Sequence, residues 1–338
     1  MVGNMNNIKV SVVVPVFNNA EYIGTALDSI ISQDFDAFEI IVVDDGSSDN
    51  SLELITDKLK GIDIPNTIIH QENQGVSAAR NKGIEASNGD YLVFVDGDDY
   101  ISPNHLSSLY NGETDFSLTQ LVKKEGDTVS NPHIFSQNCI STKEFIEMEL
   151  KMQIPFNFVQ LMYKSDIIKG NSIKFSSDFV YGEDTYFALI ALSYGEKIAI
   201  SNEATYYYIQ HQKSAIRTSE FRRFEIVTAF EQLADFYKKQ GWDDLSDLII
   251  TSRIPKAIFG NMNYFFYNSY DVDEVIDKMK EMDLFTKLSK FEGDNKFKLK
   301  IRLFLLNPKI YYKMWISRLM IKELHTKVLN QIQFKCNE

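Results

Sequence analysis

Tyr91-Leu92-Val93-Phe94-Val95-Asp96-Gly97-Asp98-Asp99 is an apolar run that stops abruptly in three carboxylates. A short run this rich in Val and Phe reads as a buried strand. Such strands belong to parallel sheets covered on both faces. Ligands of these sheets collect outside the carboxyl ends of the strands. Three Asp within four residues repel one another unless something positive sits among them. A solvated acidic turn is one reading of the cluster. The other is a site for Mg2+ or Mn2+, which takes few protein carboxylates and shares the rest of its shell with phosphate oxygens.

The ninety residues before this strand repeat one pattern. Residues 8–15 form an apolar run ended by Pro15, a first strand. Tyr22, Ile23, Ala26, Leu27, Ile30 and Ile31 recur at helical spacing over 20–32. A second strand, 38–43, also ends in acid, at Asp44-Asp45-Gly46-Ser47-Ser48-Asp49. Helix 51–60, strand 67–70 and helix 77–87 lead back to Tyr91. The order βαβαβαβ predicts a doubly wound, mostly parallel sheet with helices on both faces. An Asp at the second strand end suits a nucleobase N–H or a ribose hydroxyl. Between the two acidic ends, Asn73-Gln74-Gly75-Val76-Ser77-Ala78-Ala79-Arg80 turns into a helix, a place that favours anions, with a guanidinium fork in its first turn. Neither a P-loop nor a dinucleotide fingerprint is present.

Four blocks together resemble the successive signatures of family 2 glycosyltransferases with the GT-A fold. They are Val12–Asn18, Val42–Asp49, Gln74–Asn81 and Val95–Asp99. The resemblance implies a nucleotide-diphosphate-sugar donor and inversion at the anomeric carbon. It places Pro15, Phe17, Asn18, Asp45 and Asn73 around base and ribose, and Arg80 near the diphosphate or sugar. It makes Asp96-Gly97-Asp98 the divalent-metal motif for Mn2+ or Mg2+, with one of Asp96 and Asp98 often touching ribose or sugar instead of the metal.

Residues 103–220 read as the acceptor-side half of the catalytic domain, following a nucleotide-sugar half over 1–102. Phe116–Val122 is a strand and Lys123–Asn131 a hairpin or loop. Asn157–Lys164 resembles the stretch where the acceptor-facing part begins, and Gln160 is assigned there. Tyr181-Gly182-Glu183-Asp184-Thr185 precedes helical spacing, so both carboxylates stand at a helix start, which keeps a carboxylate ionised. An acidic helix cap is the plain reading. The resemblance instead makes Asp184 the base, with Glu183 structural or acceptor-binding. After the Tyr-rich strand 205–209, His211 matches a position that closes over the diphosphate or the metal shell.

From Arg222 on, helical patterns dominate, at 224–237, 248–259 and 272–288, with Asn261–Tyr267 as a loop or helix end, so 221–338 is expected to be a helical subdomain. The net charge of −12 over 338 residues is uneven. Residues 296–338 hold ten Lys and Arg against Glu323 and Glu338, a tail of +8 on a body of −20. Ile310–Gln331, with Tyr311 and Trp315 among lysines, is expected to pack on the body or in an oligomer interface with its lysines solvated, or to lie on an anionic membrane. The acidic body excludes nucleic acid as a partner. Two distant cysteines, Cys139 and Cys336, and a start without a basic stretch or apolar core suit the cytoplasm, with peripheral contact on the inner membrane face.

The whole reads as an inverting glycosyltransferase using a nucleotide-sugar, most simply a UDP-sugar, and a surface-polysaccharide, teichoic-acid or lipid-linked acceptor. A nucleotide-sugar-forming nucleotidyltransferase would need a basic Gly-rich loop where Phe17-Asn18-Asn19-Ala20-Glu21 stands. A non-catalytic binding module would show damaged motifs.

Overall fold

The computed structural model describes residues 8–125, 128–209 and 221–317. They fall into two compact units, Met1–Glu220 and Phe221–Glu338.

The first unit is built on one ten-stranded sheet. Its first part has β1 (Val10–Val16), β2 (Phe38–Asp44), β3 (Asn66–His70) and β4 (Tyr91–Phe94), all parallel, in the order β3-β2-β1-β4. Helices α1 (Ile23–Ile31), α2 (Ser51–Leu59) and α3 (Val76–Ala86) make the crossovers. Every residue of β1, β2 and β4 is buried, as expected of strands covered on both faces. Pro15 does not end β1: it pairs with Val43, and the strand runs to Val16 opposite Asp44. Helix α3 packs directly on β1, because Gly83 admits Val13; a Cβ there would lie 2.2 Å from the valine Cγ1.

Past β4 come the short β5 (Tyr100–Ile101), α4 (His105–Leu109), β6 (Phe116–Glu125), β7 (Thr128–Val129), β8 (Cys139–Ser141) and α5 (Thr142–Leu150). Then follow β9 (Leu161–Lys164), α6 (Ser165–Gly170), α7 (Glu183–Leu192) and β10 (Lys197–Ile209). The strand order continues β9-β6-β10-β5, with β9 antiparallel to β4 and β6, and β6 parallel to β10. β6 and β7 form the hairpin expected over 123–131. Phe94 seats this half on the first: its ring lies 5.4–5.8 Å from Phe158, Tyr163, Phe175 and Phe187.

The second unit is helical: α8 (Glu225–Lys239), α9 (Asp243–Leu248), α10 (Ile254–Tyr267), α11 (Val272–Glu281), α12 (Leu284–Ser289) and α13 (Asn295–Leu306). Residues 308–317 are helical as well. A single helix over 248–259 is not formed, since a π-helical turn, Ile249–Arg253, separates α9 from α10. The aromatic stretch 261–267 is the second half of α10, and 272–288 breaks at Asp283, which has φ +52.

Candidate active site

β2 and β4 flank β1 in parallel, so Asp45 and Asp96 emerge on one edge of the sheet, on either side of Pro15 and Val16. Residues 96–99 close as a turn, the Asp99 amide donating to the Asp96 carbonyl at 3.0 Å. The three carboxylates then part. Asp99 is buried, accepting from the Tyr206 hydroxyl and the Ile209 N–H, each at 2.8 Å. Burial, then the charges of Asp96 and Asp98, hold its carboxyl well above the usual carboxylate range, against those two bonds. Asp96 and Asp98 remain partly exposed. Asp96 commits Oδ1 to Arg80 at 2.9 Å, which leaves Oδ2. Two accessible carboxylates two residues apart fit a hard divalent cation that finishes its shell on diphosphate oxygens. No group of three or more metal-ligating side chains occurs among the described residues. Beside the turn, Tyr22, Thr25, Asp98, Asp99, Tyr100 and Ile209 line a cleft of about 180 Å³.

Arg80 is placed differently from the sequence expectation. Its guanidinium does not face an open phosphate site; it is buried, and its second fork arm donates to Glu183 at 3.2 Å. The Phe158 and Phe175 rings lie 4.4 and 5.2 Å from it. Its Nε has no partner among the described residues. One side chain on α3 thus joins the Asp96 turn to the start of α7. There Gly182, at φ +90, turns the chain into the helix, and Glu183 and Asp184 occupy the first turn. Glu183 is buried; burial, then the adjacent Asp184 charge, push its carboxyl up to about 7 against the pull of Arg80. Asp184 is partly exposed. Of these neighbours, Glu183 is engaged and Asp184 is the accessible carboxylate.

Asp45 is the anchor of the loop before α3. Its buried carboxylate accepts from Gln71 Nε2 at 2.8 Å and from the amides of Gln74 and Gly75 at 2.9 and 2.8 Å. Gly46, at φ +75, lets that loop approach: a Cβ there would meet the Asn73 nitrogen at 2.9 Å. Pro15 is buried in β1, while Phe17, Asn18 and Asn73 are exposed beside this loop system. Asn18, at φ +51, receives the Ser48 amide and gives its own amide to Ser47 Oγ. Gln160 is withdrawn from any acceptor: it is buried, its Oε1 takes the Asn157 amide at 2.8 Å, and its Nε2 donates to the Thr119 carbonyl at 3.1 Å. His211 lies outside the described residues.

Three participants escaped the sequence reading. His70 Nδ1 lies 2.6 Å from the buried Asp44 carboxylate at the β2–β3 edge. Tyr206 holds the acidic turn from β10. Tyr208, two residues on along the same strand face, has its hydroxyl pushed up to about 12 by burial and then by Asp99, Asp98, Asp96 and Asp184. The Tyr-rich strand was visible in the sequence; which of its rings face the acid was not.

A mostly parallel sheet with an acidic turn and a second carboxylate pair at its carboxyl edge is the GT-A architecture. Residues 11–166 match the family model Glycosyl transferase family 2. Among the relatives, the putative glycosyltransferase EpsH of Bacillus subtilis is 28% identical over 65% of this chain and 66% of its own length. The poly(ribitol-phosphate) beta-glucosyltransferase of Bacillus spizizenii is 30% identical over 60% of this chain and 32% of its own. The first curated relatives are matched over only 62–66% of their own length. The crystal structure of S. aureus TarS 1–349 with UDP-GlcNAc shares the fold, with a TM-score of 0.68 at 20% identity over 90% of this chain and 88% of that one. No helix of the described residues is long and apolar enough to cross a membrane.

Proposed function

We propose that this chain is an inverting glycosyltransferase. It moves a sugar from a nucleoside-diphosphate-sugar, most simply a UDP-sugar, to a hydroxyl of a surface polysaccharide, a poly(ribitol phosphate) or a lipid-linked oligosaccharide on the cytoplasmic side. The observation that carries the reading is the Arg80 fork, which holds Asp96 and Glu183 on one guanidinium. It keeps the accessible Asp184 next to the acidic turn, as a displacement between a donor diphosphate and an acceptor hydroxyl requires. The UDP-GlcNAc held by TarS and the acceptor named for the Bacillus spizizenii relative support the choice of donor and acceptor.

Asp184 takes the acceptor hydroxyl proton as that oxygen attacks the anomeric carbon. The new C–O bond forms on the face opposite the diphosphate, whose own bond to carbon breaks with the electron pair leaving on the nucleotide. The configuration inverts, so an α-linked donor gives a β-linked product. A Mn2+ or Mg2+ held by Asp98 and Asp96 would neutralise charge on the departing diphosphate. The first amides of α3, from Val76 on, offer donors to the same anion. Glu183 keeps Asp184 in place through α7 and Arg80. A positioned base contributes about 10²–10⁴ in rate. Asp184→Asn is therefore expected to lose two to four orders of magnitude in transfer, with unchanged melting and unchanged UDP-sugar binding. Full transfer by that variant would move the base elsewhere.

A further inference from the structure

α13 and the helical residues 308–317 bury or half-bury their aromatics and expose most of their aliphatic side chains. Tyr311 and Trp315, which the sequence sets on a basic amphipathic helix, are turned inward, and so is Tyr312. Tyr311 lies 5.6 Å from Phe259 and 5.7 Å from Phe304, and Tyr312 and Trp315 lie 5.0 and 6.0 Å from Phe266. The outward residues are aliphatic instead. On α13, Leu299, Leu303 and Leu306 are 56%, 38% and 81% exposed; beyond it, Ile310 and Met314 are 56% and 55% exposed.

At 3.6 residues per turn the three leucines fall within about 60° of one another. The inward residues Phe297, Ile301 and Phe304 fall on the opposite side of the helix. α13 is thus apolar on two opposite faces, and among the described residues only one of them is covered. Cations border the uncovered ridge on both flanks: Lys296 and Lys300 on one, Arg302 and Lys298 on the other. Residues 296–317 contain six Lys or Arg and no Asp or Glu. Asp294 caps α13, and Lys309 pairs with Asp273 at 2.6 Å.

An aliphatic ridge between two rows of cations, on a chain of net charge −12, matches a surface that is apolar below and anionic above. We propose that the exposed face of α13 docks on an anionic lipid bilayer, leucines in the acyl boundary and cations among the headgroups. The docking is a property of the helix surface and stands apart from the reaction at the acidic turn.

The test is co-sedimentation of the full chain with vesicles of phosphatidylcholine containing one quarter phosphatidylglycerol, against pure phosphatidylcholine. Binding to the anionic vesicles alone, weakened at ~0.5 M salt, is the expected result. Leu299→Ser with Leu303→Ser and Leu306→Ser abolishes it. Lys300→Gln with Arg302→Gln lowers the partition coefficient roughly thirtyfold, at about 1 kcal/mol per cation. Transfer to a water-soluble acceptor is unchanged in both variants, which separates this outcome from a failure of the catalytic reading. Absence of binding, or equal binding by the serine variant, overturns the proposal. So does a dimer in gel filtration that the serine variant converts to monomer, since a second copy would then cover the ridge.

Discussion

Replacing Arg80 with Met tests the link between the acidic turn and α7. The guanidinium is buried, binds Asp96 and Glu183 at 2.9 and 3.2 Å, and lies against Phe158 and Phe175. Met refills part of the slot between the rings, so the loss is chiefly of charge. Removing one partner of a buried ion pair costs about 3–5 kcal/mol when the other stays ionised. Glu183 can escape part of that cost, because its carboxyl already titrates at about 7 and rises further without Arg80. An acid raised in the folded state binds its proton more tightly there than in the unfolded chain. Stability is then lost as pH climbs from 4.5 through the folded value. In the wild type that loss is nearly complete at pH 7; in the variant it continues above. The penalty should therefore sit near ~3 kcal/mol at pH 6 and approach ~5 kcal/mol at pH 8. In a unit of about 220 residues each kcal/mol moves Tm by ~2–4 °C. Circular dichroism melts are thus expected to fall roughly 6–12 °C at pH 6 and 10–20 °C at pH 8. Arg80→Lys restores the charge without the fork and recovers only part. Melting within ~2 °C of wild type at pH 8, or an offset identical at both pH values, would refute the bridging role.

Other outcomes are equally direct. Gly83→Ala drives a methyl into Val13 at 2.2 Å and should cost about 1–3 kcal/mol in urea unfolding. His105 is fully buried, its ring held neutral with its titration pulled down to about 3 by burial; the unfolded chain takes up the proton first as pH falls. Stability should drop ~2 kcal/mol between pH 6.5 and 5, and His105→Gln should flatten that slope in urea midpoints. Chelation with EDTA should stop transfer and Mn2+ should restore it, whereas Asp98→Ala should not respond to added Mn2+ at the wild-type concentration. Gly46→Ala, at φ +75 and 2.9 Å from the Asn73 nitrogen, displaces the loop held by Asp45 and should raise donor KM more than it lowers kcat.

The parallel half of the fold was legible because its strands are buried on both faces. Val10–Val16 and Phe38–Asp44 carry their environment in their composition, and the carboxylates that break such runs mark the sheet edge. What was not legible depends on contacts far along the chain. Arg80 looked like a phosphate ligand at a helix start; only the rings of Phe158 and Phe175, some eighty residues on or more, turn it inward. Gln160 and Asp45 resembled ligand residues; both also hold backbone, Asp45 with the Gln71 side chain besides, and no side-chain pattern announces that. The π-turn at Ile249–Arg253 leaves the apolar period intact while shifting its phase, so the spacing read as one helix. What Tyr311 and Trp315 pack against stayed open in the sequence, because Phe259 and Phe266, which claim them, lie on a separate helix.

The Tyr206 hydroxyl, which donates to Asp99 and receives the Asp96 amide at 3.2 Å, means that the first hundred residues are not a portable cartridge. A chimaera that borrows 1–102 from a relative hands the acidic turn to a foreign β10. It would keep its shape only if a tyrosine stood in register with Ile101. Any exchange of donor specificity between family members would have to move strand and turn as one inherited piece, although they lie more than a hundred residues apart.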